Sequence, residues 1–525
     1  MKQLISISIL ILAIVLPTAV TAHDFEVDGI YYNINGNKAT VTFKGSGEWE
    51  FTDEYSGDVT IPSTVTWNGT TYTVTAIGAN AFNCCYGVTS VFIPSTVTFI
   101  GEYSFLYCQE LPSINIPNSV TTISQNAFSG CKSLTSIRIP SSVTQIGNQV
   151  FTGCDALTSI TVASGNTKYD SRNNCNAIIE KASNTLIVGC KNSTVPNTVT
   201  AIGDYAFRNC NYLTRITIPN SVTTIGNEAF YYCYSLTNVN MSNALTHIGN
   251  SAFYCCEKMA DITFPSTLVY IGDDAFSVCR EFTSLNIPSS VTHIGVRAFT
   301  SCNKLTSITV ASGNTKYDSR NNCNAIIEKA TNTLMFGCKN TIIPNSVTAI
   351  GVQAFIGCDG LTNISIPNSV TSIGDIAFLD CTGLTSITIP SSITSIGYLA
   401  FYYCSGLTDV YSYIESPSLV TIGENAFGSS DYERTLHIPA GSLAAYQASP
   451  DWAPYFNYIV EMEPSSGVTG DVDGDGKVNI SDVTALINIL LRGNTSGSAA
   501  DVDGDGKVTI SDLTALINML LRSHS

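Results

Sequence analysis

Two twelve-residue segments near the C-terminus carry the residues with the clearest chemistry. Residues 471–482 read DVDGDGKVNISD, and residues 501–512 read DVDGDGKVTISD. Oxygen-bearing side chains at positions 1, 3, 5, 9 and 12, a backbone carbonyl at position 7 and a glycine at position 6 are typical of a calcium loop. The predicted ligands are Asp471, Asp473, Asp475, Lys477, Asn479 and Asp482 in the first loop, and Asp501, Asp503, Asp505, Lys507, Thr509 and Asp512 in the second.

The acidic residues of these loops have a simpler alternative explanation, which is solubility. A solvated acidic run would not repeat the glycine and valine positions, however, as these two segments do. Three carboxylates this close together would also repel one another strongly without a cation. The sequence therefore predicts two bound calcium ions, one in each loop.

Each loop is followed by a segment with the apolar spacing of an amphipathic helix. The apolar positions are Val483, Leu486, Ile487, Leu490 and Leu491 after the first loop, and Leu513, Leu516, Ile517, Leu520 and Leu521 after the second. Neither loop is preceded by the entering helix that an EF-hand carries, and position 12 is Asp rather than Glu. A single helix is thus expected to position each loop.

A pair of loop-plus-helix units spaced 30 residues apart, with Asp at position 12, resembles the type I dockerin. The resemblance covers residues 470–523. It implies a calcium-binding module that packs as a near two-fold pair and docks into a cohesin domain of another protein. In that family recognition centres on loop positions 10 and 11, where two hydroxyl residues are common. Here those positions are Ile480, Ser481, Ile510 and Ser511.

A phenylalanine recurs thirteen times upstream in nearly the same context, I-P-x-S-V-T-x-I-G-x-x-A-F-x-x-C-x-x-L-T-x-I, mostly at 23-residue steps. A fixed period in this range, with apolar residues in phase, predicts stacked turns that bury their cores against one another. We expect a β-solenoid of the leucine-rich-repeat type over residues 61–440, with about 13 turns. The phenylalanines are Phe82, Phe105, Phe128, Phe151, Phe207, Phe230, Phe253, Phe276, Phe299, Phe355, Phe378, Phe401 and Phe427.

Two of the steps are 56 residues long and contain nearly identical 33-residue insertions, near 163–195 and 311–343. Each is expected to form a hairpin, in which Ile178-Ile179 pairs with Leu186-Ile187. The Lys, Tyr, Asp and Arg residues of the insertion could form a ligand site that occurs twice. A structural insertion copied together with its block is the favoured interpretation.

The flanking segments are expected to close the ends of the array, since an open solenoid end exposes unpaired backbone groups. We expect an N-terminal β cap at 23–60, a C-terminal cap at 441–462 and a short linker at 463–469. The repeat itself resembles the BspA-like leucine-rich repeats of secreted and surface bacterial proteins. That resemblance implies adhesion and protein binding, and it brings no catalytic residues.

Twelve of the 18 cysteines lie three residues after a repeat phenylalanine. Their side chains would point into the core in parallel, so they are expected to be buried thiols rather than disulfides. Cys175 with Cys190, and Cys323 with Cys338, flank the predicted hairpins and are better disulfide candidates.

Charge and the N-terminus limit the possible partners and the location. A net charge of −17 without Lys/Arg clusters argues against nucleic acid or an anionic membrane. Residues 1–22 read as a signal peptide, with Lys2, an apolar core and cleavage after Ala22. We therefore expect a secreted or cell-surface protein without a transmembrane span in the mature chain.

No catalytic motif is evident in the sequence, and we expect no enzymatic activity. Exposed aromatic residues beside the repeat phenylalanines form a speculative ligand surface: Tyr231, Tyr232, Tyr234, Tyr254, Tyr402 and Tyr403. The predicted function is a non-catalytic binding protein whose solenoid holds a protein or a glycan and whose dockerin tethers it to a cohesin-bearing scaffold. Two alternatives stay open: a free adhesin with a merely stabilising calcium module, and a carbohydrate-binding or carbohydrate-degrading component of a polysaccharide-degrading complex.

Overall fold

A computed structural model of the protein describes residues 23–45, 54–260, 262–428, 432–462, 469–473, 477–492, 499–503 and 507–523. The predicted signal peptide, Asp475, Asp505 and all of the predicted linker except residue 469 lie outside them. The described chain forms a leucine-rich-repeat β-solenoid of about 17 turns and a short helical C-terminal region. It divides into two compact units, one of residues up to 330 with 336–340, the other of 331–335 with 341 onward.

The expected count of 13 turns was too low, because it followed the phenylalanines, and a turn can stack without one. In the first unit Lys38–Thr42 pairs in parallel with Thr70–Ile77, and Thr185–Val188 of the first insertion pairs in parallel with Ala201–Ile202. In the second unit Tyr458–Glu461 pairs in parallel with Thr435–Ile438. Segments that were expected to form caps or hairpins therefore also contribute strands to the stacked turns.

In each unit, one side of the stacked turns consists of two-residue strands from the T-x-I-G part of the repeats. Neighbouring strands pair in parallel and in register, as Ile225 does with Ile248. The strands are Phe99–Ile100, Thr122–Ile123, Gln145–Ile146, Ala201–Ile202, Thr224–Ile225, His247–Ile248, Tyr270–Ile271, His293–Ile294, Ala349–Ile350, Ser372–Ile373, Ser395–Ile396 and Thr421–Ile422.

A second side consists of strands from the L-T-x-I-x-I segment, which a proline commonly ends because it cannot donate to the ladder. These strands are Gly57–Thr60, Val88–Phe92, Ser136–Ile139, Ser159–Val162, Arg215–Thr217, Asn238–Asn240, Ser284–Ile287, Ser307–Val310, Ser386–Ile389, Asp409–Ser412, Thr435–Ile438 and Tyr458–Glu461.

The remaining elements belong to the N-terminal segment, the insertions and the C-terminus. The strands are Phe25–Val27, Ile30–Asn35, Lys38–Thr42, Thr64–Trp67, Thr70–Ile77, Tyr169–Asp170, Ile178–Glu180, Thr185–Val188, Tyr317–Asp318, Ala325–Glu328 and Thr333–Gly337. The 3-10 helices are Arg172–Asn174, Arg320–Asn322, Pro417–Leu419 and Ala453–Tyr455, and the α-helices are α1 (Leu443–Gln447), α2 (Ile480–Arg492) and α3 (Ile510–Ser523).

The third side carries the A-F-x-x-C segment, whose backbone also bonds to the next turn. The amide of Phe230 donates to the carbonyl of Ala252 at 2.7 Å. The rings of successive turns stack nearly parallel, with 5.0 Å between the centroids of Phe207 and Phe230 and 4.9 Å between those of Phe355 and Phe378. The aromatic column therefore lies in the core of each unit.

Most of the cysteines that follow a repeat phenylalanine have a more specific role than a small apolar residue. The thiol donates to the carbonyl of the previous turn's phenylalanine, as Cys256 does to Phe230 at 3.2 Å and Cys381 does to Phe355 at 3.1 Å. Burial raises the pKa of the Cys256 thiol above its usual value. The column thus consists of neutral donors that link neighbouring turns.

The two expected disulfides, Cys175–Cys190 and Cys323–Cys338, are wrong. None of the four residues forms a disulfide, and all four are buried in the structure. Cys175 donates to Ala177 O at 3.7 Å, and Cys190 donates to Asn176 O at 3.4 Å. Each thiol is therefore occupied by a backbone carbonyl of its own insertion, and flanking a hairpin does not direct the two sulfurs at each other.

The first insertion has a regular core of its own. The expected hairpin is present, with Ile179 opposite Leu186 and an irregularity that brings Ile178 opposite Val188. Asn166 is buried, and its amide group donates to Pro140 O and Val143 O at 2.9 and 2.8 Å.

The polar residues that the insertion repeats bond mostly to the insertion itself. Arg172 pairs with Asp170 at 2.8 Å, and the Lys181 ammonium donates to Asn166 O at 2.7 Å. These contacts favour a structural insertion over a ligand site.

The glycine that recurs in the T-x-I-G part of the repeats is needed for the contact between turns. A Cβ on Gly249 would lie 2.6 Å from the carbonyl carbon of Gly226 and 2.7 Å from the amide nitrogen of Asn227. The next side chain caps the following turn, since Asn227 Oδ1 accepts from the amide of Asn250 at 2.9 Å. Gly147 has the same role as Gly249, because its φ is not in the left-handed region and its missing Cβ makes room for the backbone of Gln125.

A buried arginine forms hydrogen bonds to the last turns of the second unit. Arg434 is fully buried, and its guanidinium donates to the carbonyls of Phe427, Leu407 and Cys404. Burial lowers the pKa of this group. Trp452 covers the Phe427 ring at 5.8 Å between centroids. Arg434 thus donates hydrogen bonds to backbone carbonyls near the end of the column of stacked phenylalanines.

Candidate calcium and docking sites

The first loop brings three of its predicted ligands together. One carboxylate oxygen from each of Asp471, Asp473 and Asp482 lies within 4.8 Å of the others. Asp482 is fully buried and belongs to the first turn of α2, so its carboxylate is favoured by the partial positive charge of the helix N-terminus. Asp475 lies outside the described residues.

The second loop repeats this arrangement. Oxygens of Asp501, Asp503 and Asp512 lie within 4.8 Å of one another, and Asp512 is fully buried in the first turn of α3. Asp505 lies outside the described residues. Two unrelated stretches of acidic surface would not place the same three positions together twice, so the geometry reflects the loop sequence.

The Asp at position 12 also holds the loop backbone in place. Asp482 Oδ1 accepts from the amides of Val472 at 2.7 Å and Asp473 at 3.1 Å, and Oδ2 accepts from the amide of Asn479 at 2.7 Å. Asp512 accepts from Asp503 and Thr509 in the same way. Burial raises the pKa of Asp512, but these amide donors together outweigh it and leave the pKa below its usual value.

The donor set fits a calcium ion. Carboxylate oxygens that converge on one point are the hard ligands that Ca²⁺ prefers, and it takes about six to eight of them. Asn479 Oδ1 accepts from the Ser481 amide and hydroxyl, and Thr509 Oγ1 lies 2.7 Å from Ser511 Oγ. Lys477 and Lys507 can offer only their backbone carbonyls as ligands, because an ammonium group is a cation with no acceptor atom.

The two helices pack on a small core and leave the predicted recognition residues outside it. Val483, Leu486 and Leu516 are buried in this core. Ile480 and Ile510, at loop position 10, are 76% and 75% exposed. Ser511 is exposed, and Ser481 is half-buried.

Each helix carries a second exposed isoleucine, whose exposure was not predicted from the sequence. Ile487 and Ile517 are 38% and 42% exposed, although the apolar stripe placed them in the core. Each lies seven residues, or two helical turns, after the isoleucine at position 10 and therefore on the same face of its helix. That seven-residue spacing was the signal that could have identified them.

The expected tyrosine surface is largely packed on itself. The Arg208 guanidinium lies 4.2 Å from the Tyr231 ring on one side, and the Tyr254 ring stacks at 4.9 Å on the other. Tyr232 stacks on Tyr234 at 5.3 Å. Desolvation raises the pKa of Tyr231 and Tyr254. Since both faces of Tyr231 are covered, this residue does not offer a free ring to a ligand.

The second tyrosine pair is more open. The Tyr402 and Tyr403 rings meet edge to face at 4.2 Å, and Tyr403 is 54% exposed. In the first group Tyr234 is 40% exposed. Of the six tyrosines predicted from the sequence, only Tyr234 in the first unit and Tyr403 in the second are therefore among the exposed large side chains.

Comparison with protein families identifies both parts of the chain. The BspA type leucine rich repeat region matches residues 75–184, 187–306, 223–332 and 326–445, which together are more than half of the chain. The chain belongs to the BspA-type leucine-rich repeat family. Proteins of this type are typically non-enzymatic and are typical of the cell surface or the extracellular space.

The type I dockerin domain matches residues 469–521 of this BspA-type protein. Type I dockerins bind calcium, and a dockerin implies a cohesin as partner. The family match therefore places residues 469–521 in a type of domain that binds calcium. Among the described residues, no helix is both long and apolar enough to cross a membrane.

Solved structures similar to this BspA-type protein are bacterial leucine-rich repeat proteins. A leucine-rich repeat protein from Bacteroides ovatus ATCC 8483 is 25% identical, over 84% of this chain and 100% of the other, with a TM-score of 0.41. A leucine rich cell surface protein from Faecalibacterium prausnitzii A2-165 is 26% identical, over 84% and 95%, with a TM-score of 0.39. Among curated protein sequences none matches.

Proposed function

We propose that this protein is a non-catalytic, exported binding component, whose calcium-loaded dockerin tethers it to a cohesin-bearing scaffold and whose solenoid carries the ligand. The observation that carries the proposal is the exposure of Ile480 and Ile510 on two equivalent loop-plus-helix units. An apolar side chain about three-quarters exposed, at the same position of both units, is suited to burial in a partner.

Calcium would organise this surface. The carboxylates of Asp471, Asp473 and Asp482 would hold one ion, and those of Asp501, Asp503 and Asp512 a second. A bound cation would offset the repulsion among these carboxylates and hold each loop against its helix. Because α2 and α3 begin at loop position 10, the placement of both exposed isoleucines depends on the loops.

Export and surface location are part of the proposal. The sequence of residues 1–22 supports it, and so does the family, whose members are typical of extracellular or surface proteins. The solenoid supplies repeated, mostly uncharged strand positions, which suit recognition of a protein or a glycan by hydrogen bonds.

Capture by immobilised type I cohesins, in calcium and in chelator, tests the tether. We expect capture in calcium only. We also expect the double variant Ile480→Asp with Ile510→Asp to lose it, while each single variant keeps one intact unit and retains capture. The variant Thr484→Ala, at an exposed position of α2, serves as the matched control. Calcium-independent capture, or full capture by the double variant, would contradict the proposal.

A further inference from the structure

The second unit contains a cleft where two neighbouring turns lack the strand pairing found elsewhere on the same side. Residues 341–344 and 361–367 form no strand ladder, whereas Ser386–Ile389 and Asp409–Ser412 pair in the next turns. The space between them is a cavity of about 330 Å³. Ile342, Asn345, Asn363 and Ser365 contribute to its lining and are exposed.

The chemistry of this lining is neutral and mixed. None of its eight residues carries a charge. The amide of Asn345 or Asn363 can donate and accept at once, and so can the hydroxyl of Ser365. Ile342 is 72% exposed and supplies an apolar surface beside them. An ion or a charged peptide would find no counter-charge in such a cleft, since binding either one requires an opposite charge.

We propose that this cleft binds one or two sugar rings of a neutral glycan. Sugar rings present adjacent hydroxyls that donate and accept, which match paired amides, and apolar C–H faces, which match Ile342. A volume of about 330 Å³ is near the lower end of the range for small-molecule sites, about 300–1,000 Å³. The inference rests on the proposed function, because it names the ligand class that the solenoid carries.

The duplicated block supplies an internal comparison. At the positions 148 residues earlier, Asn363 corresponds to Arg215 and Ile342 to Thr194, while Asn345 corresponds to Asn197. Arg215 is exposed in its own turn, so an arginine is compatible with the fold at this position. The chain thus indicates substitutions that alter the cleft and leave the turn intact.

Titration of the full-length protein with cellobiose, mannobiose and xylobiose, followed by saturation-transfer NMR, tests the cleft. We expect at least one disaccharide to bind with a dissociation constant on the order of 1 mM, as a small and partly open site allows. Asn363→Arg and Ile342→Thr should each weaken that binding by about tenfold or more. The matched control Arg215→Asn, in the first unit, should bind as the unaltered protein does.

Four results would overturn the inference: no binding of any of the three sugars, equal binding by Asn363→Arg and the unaltered protein, equal binding of glucuronic acid, or binding of an uncharged peptide such as Gly-Thr-Gly-Thr in place of sugar. Cohesin capture in calcium is measured on the same variants. It should not change with Asn363→Arg, so that a failed cleft and a failed tether give different results.

Discussion

Substitution of a single stacking glycine should destabilise the solenoid of the first unit. In Gly249→Ala the new Cβ would lie 2.6 Å from Gly226 C, 2.7 Å from Asn227 N and 2.8 Å from Gly226 O. All three are backbone atoms, and the turn is held at this distance by the bond from Gly249 N to Ile225 O at 2.8 Å. No side chain can rotate away, so the turns must separate.

The magnitude follows from two opposing effects. Replacing glycine by alanine reduces the entropy of the unfolded chain and alone would stabilise by about 0.4–1 kcal/mol. Overpacking of a rigid site costs about 1–3 kcal/mol, and a backbone-to-backbone contact belongs at the upper end. The net result is a loss of about 2 kcal/mol or slightly more in the free energy of unfolding.

Urea unfolding followed by circular dichroism measures this loss as a lower midpoint with an unchanged slope. The matched control is Gly87→Ala in the same unit, whose Cβ would meet only Ser56 Cβ at an ordinary 3.5 Å. The control should be neutral or slightly stabilising. If Gly249→Ala is as stable as the control, close approach of the turns is not the reason for glycine at this position.

Other predictions concern the calcium loops, the buried arginine and the thiols. The double variant Asp482→Asn with Asp512→Asn should bind calcium more weakly, as measured by titration calorimetry. A chelator should reduce the helical circular dichroism signal of the unaltered protein. Unchanged helicity in chelator would show that the loops fold without the ion. Arg434→Met should cost about 2 kcal/mol or more. The carbonyls of Phe427 and Leu407 would lose their donor, and each buried carbonyl left unsatisfied costs about 1–3 kcal/mol, whereas the Cys404 carbonyl still accepts from the amide of Leu407. A urea midpoint equal to that of the unaltered protein would contradict this role. Burial raises the pKa of Cys131, Cys233 and Cys279, so these thiols should resist iodoacetamide at pH 8 in the native protein. The partly exposed Cys84 should react first. Mass spectrometry of the alkylated sites measures the order, and equal alkylation of all four cysteines would refute the prediction.

The sequence was sufficient to predict what depends on period and on spacing. Stacked turns follow from the phenylalanine repeat, and the loop positions predicted that Asp471, Asp473 and Asp482 would meet. Both are local patterns whose geometry hardly depends on the rest of the chain. The expected type of fold is therefore confirmed, whereas the count of turns failed where a turn lacks its phenylalanine.

The sequence could not give the partner of each polar group. The carbonyl that accepts from Cys256 lies 26 residues away, and Arg434 in the sequence looks like any exposed cation. The disulfide prediction failed for the same reason, since the distance along the chain between Cys175 and Cys190 says nothing about where the thiols point. The exposure of Ile487 depends on which face of α2 packs against α3, which a stripe alone does not fix.

The thiol column has a consequence for how the protein can be made. A sulfur that donates its hydrogen to a carbonyl must be reduced, and none of the 18 cysteines forms a disulfide in the folded chain. A crosslink formed while the chain is still open would remove two of these donors. We therefore expect a reductant during refolding to raise the yield of recombinant protein.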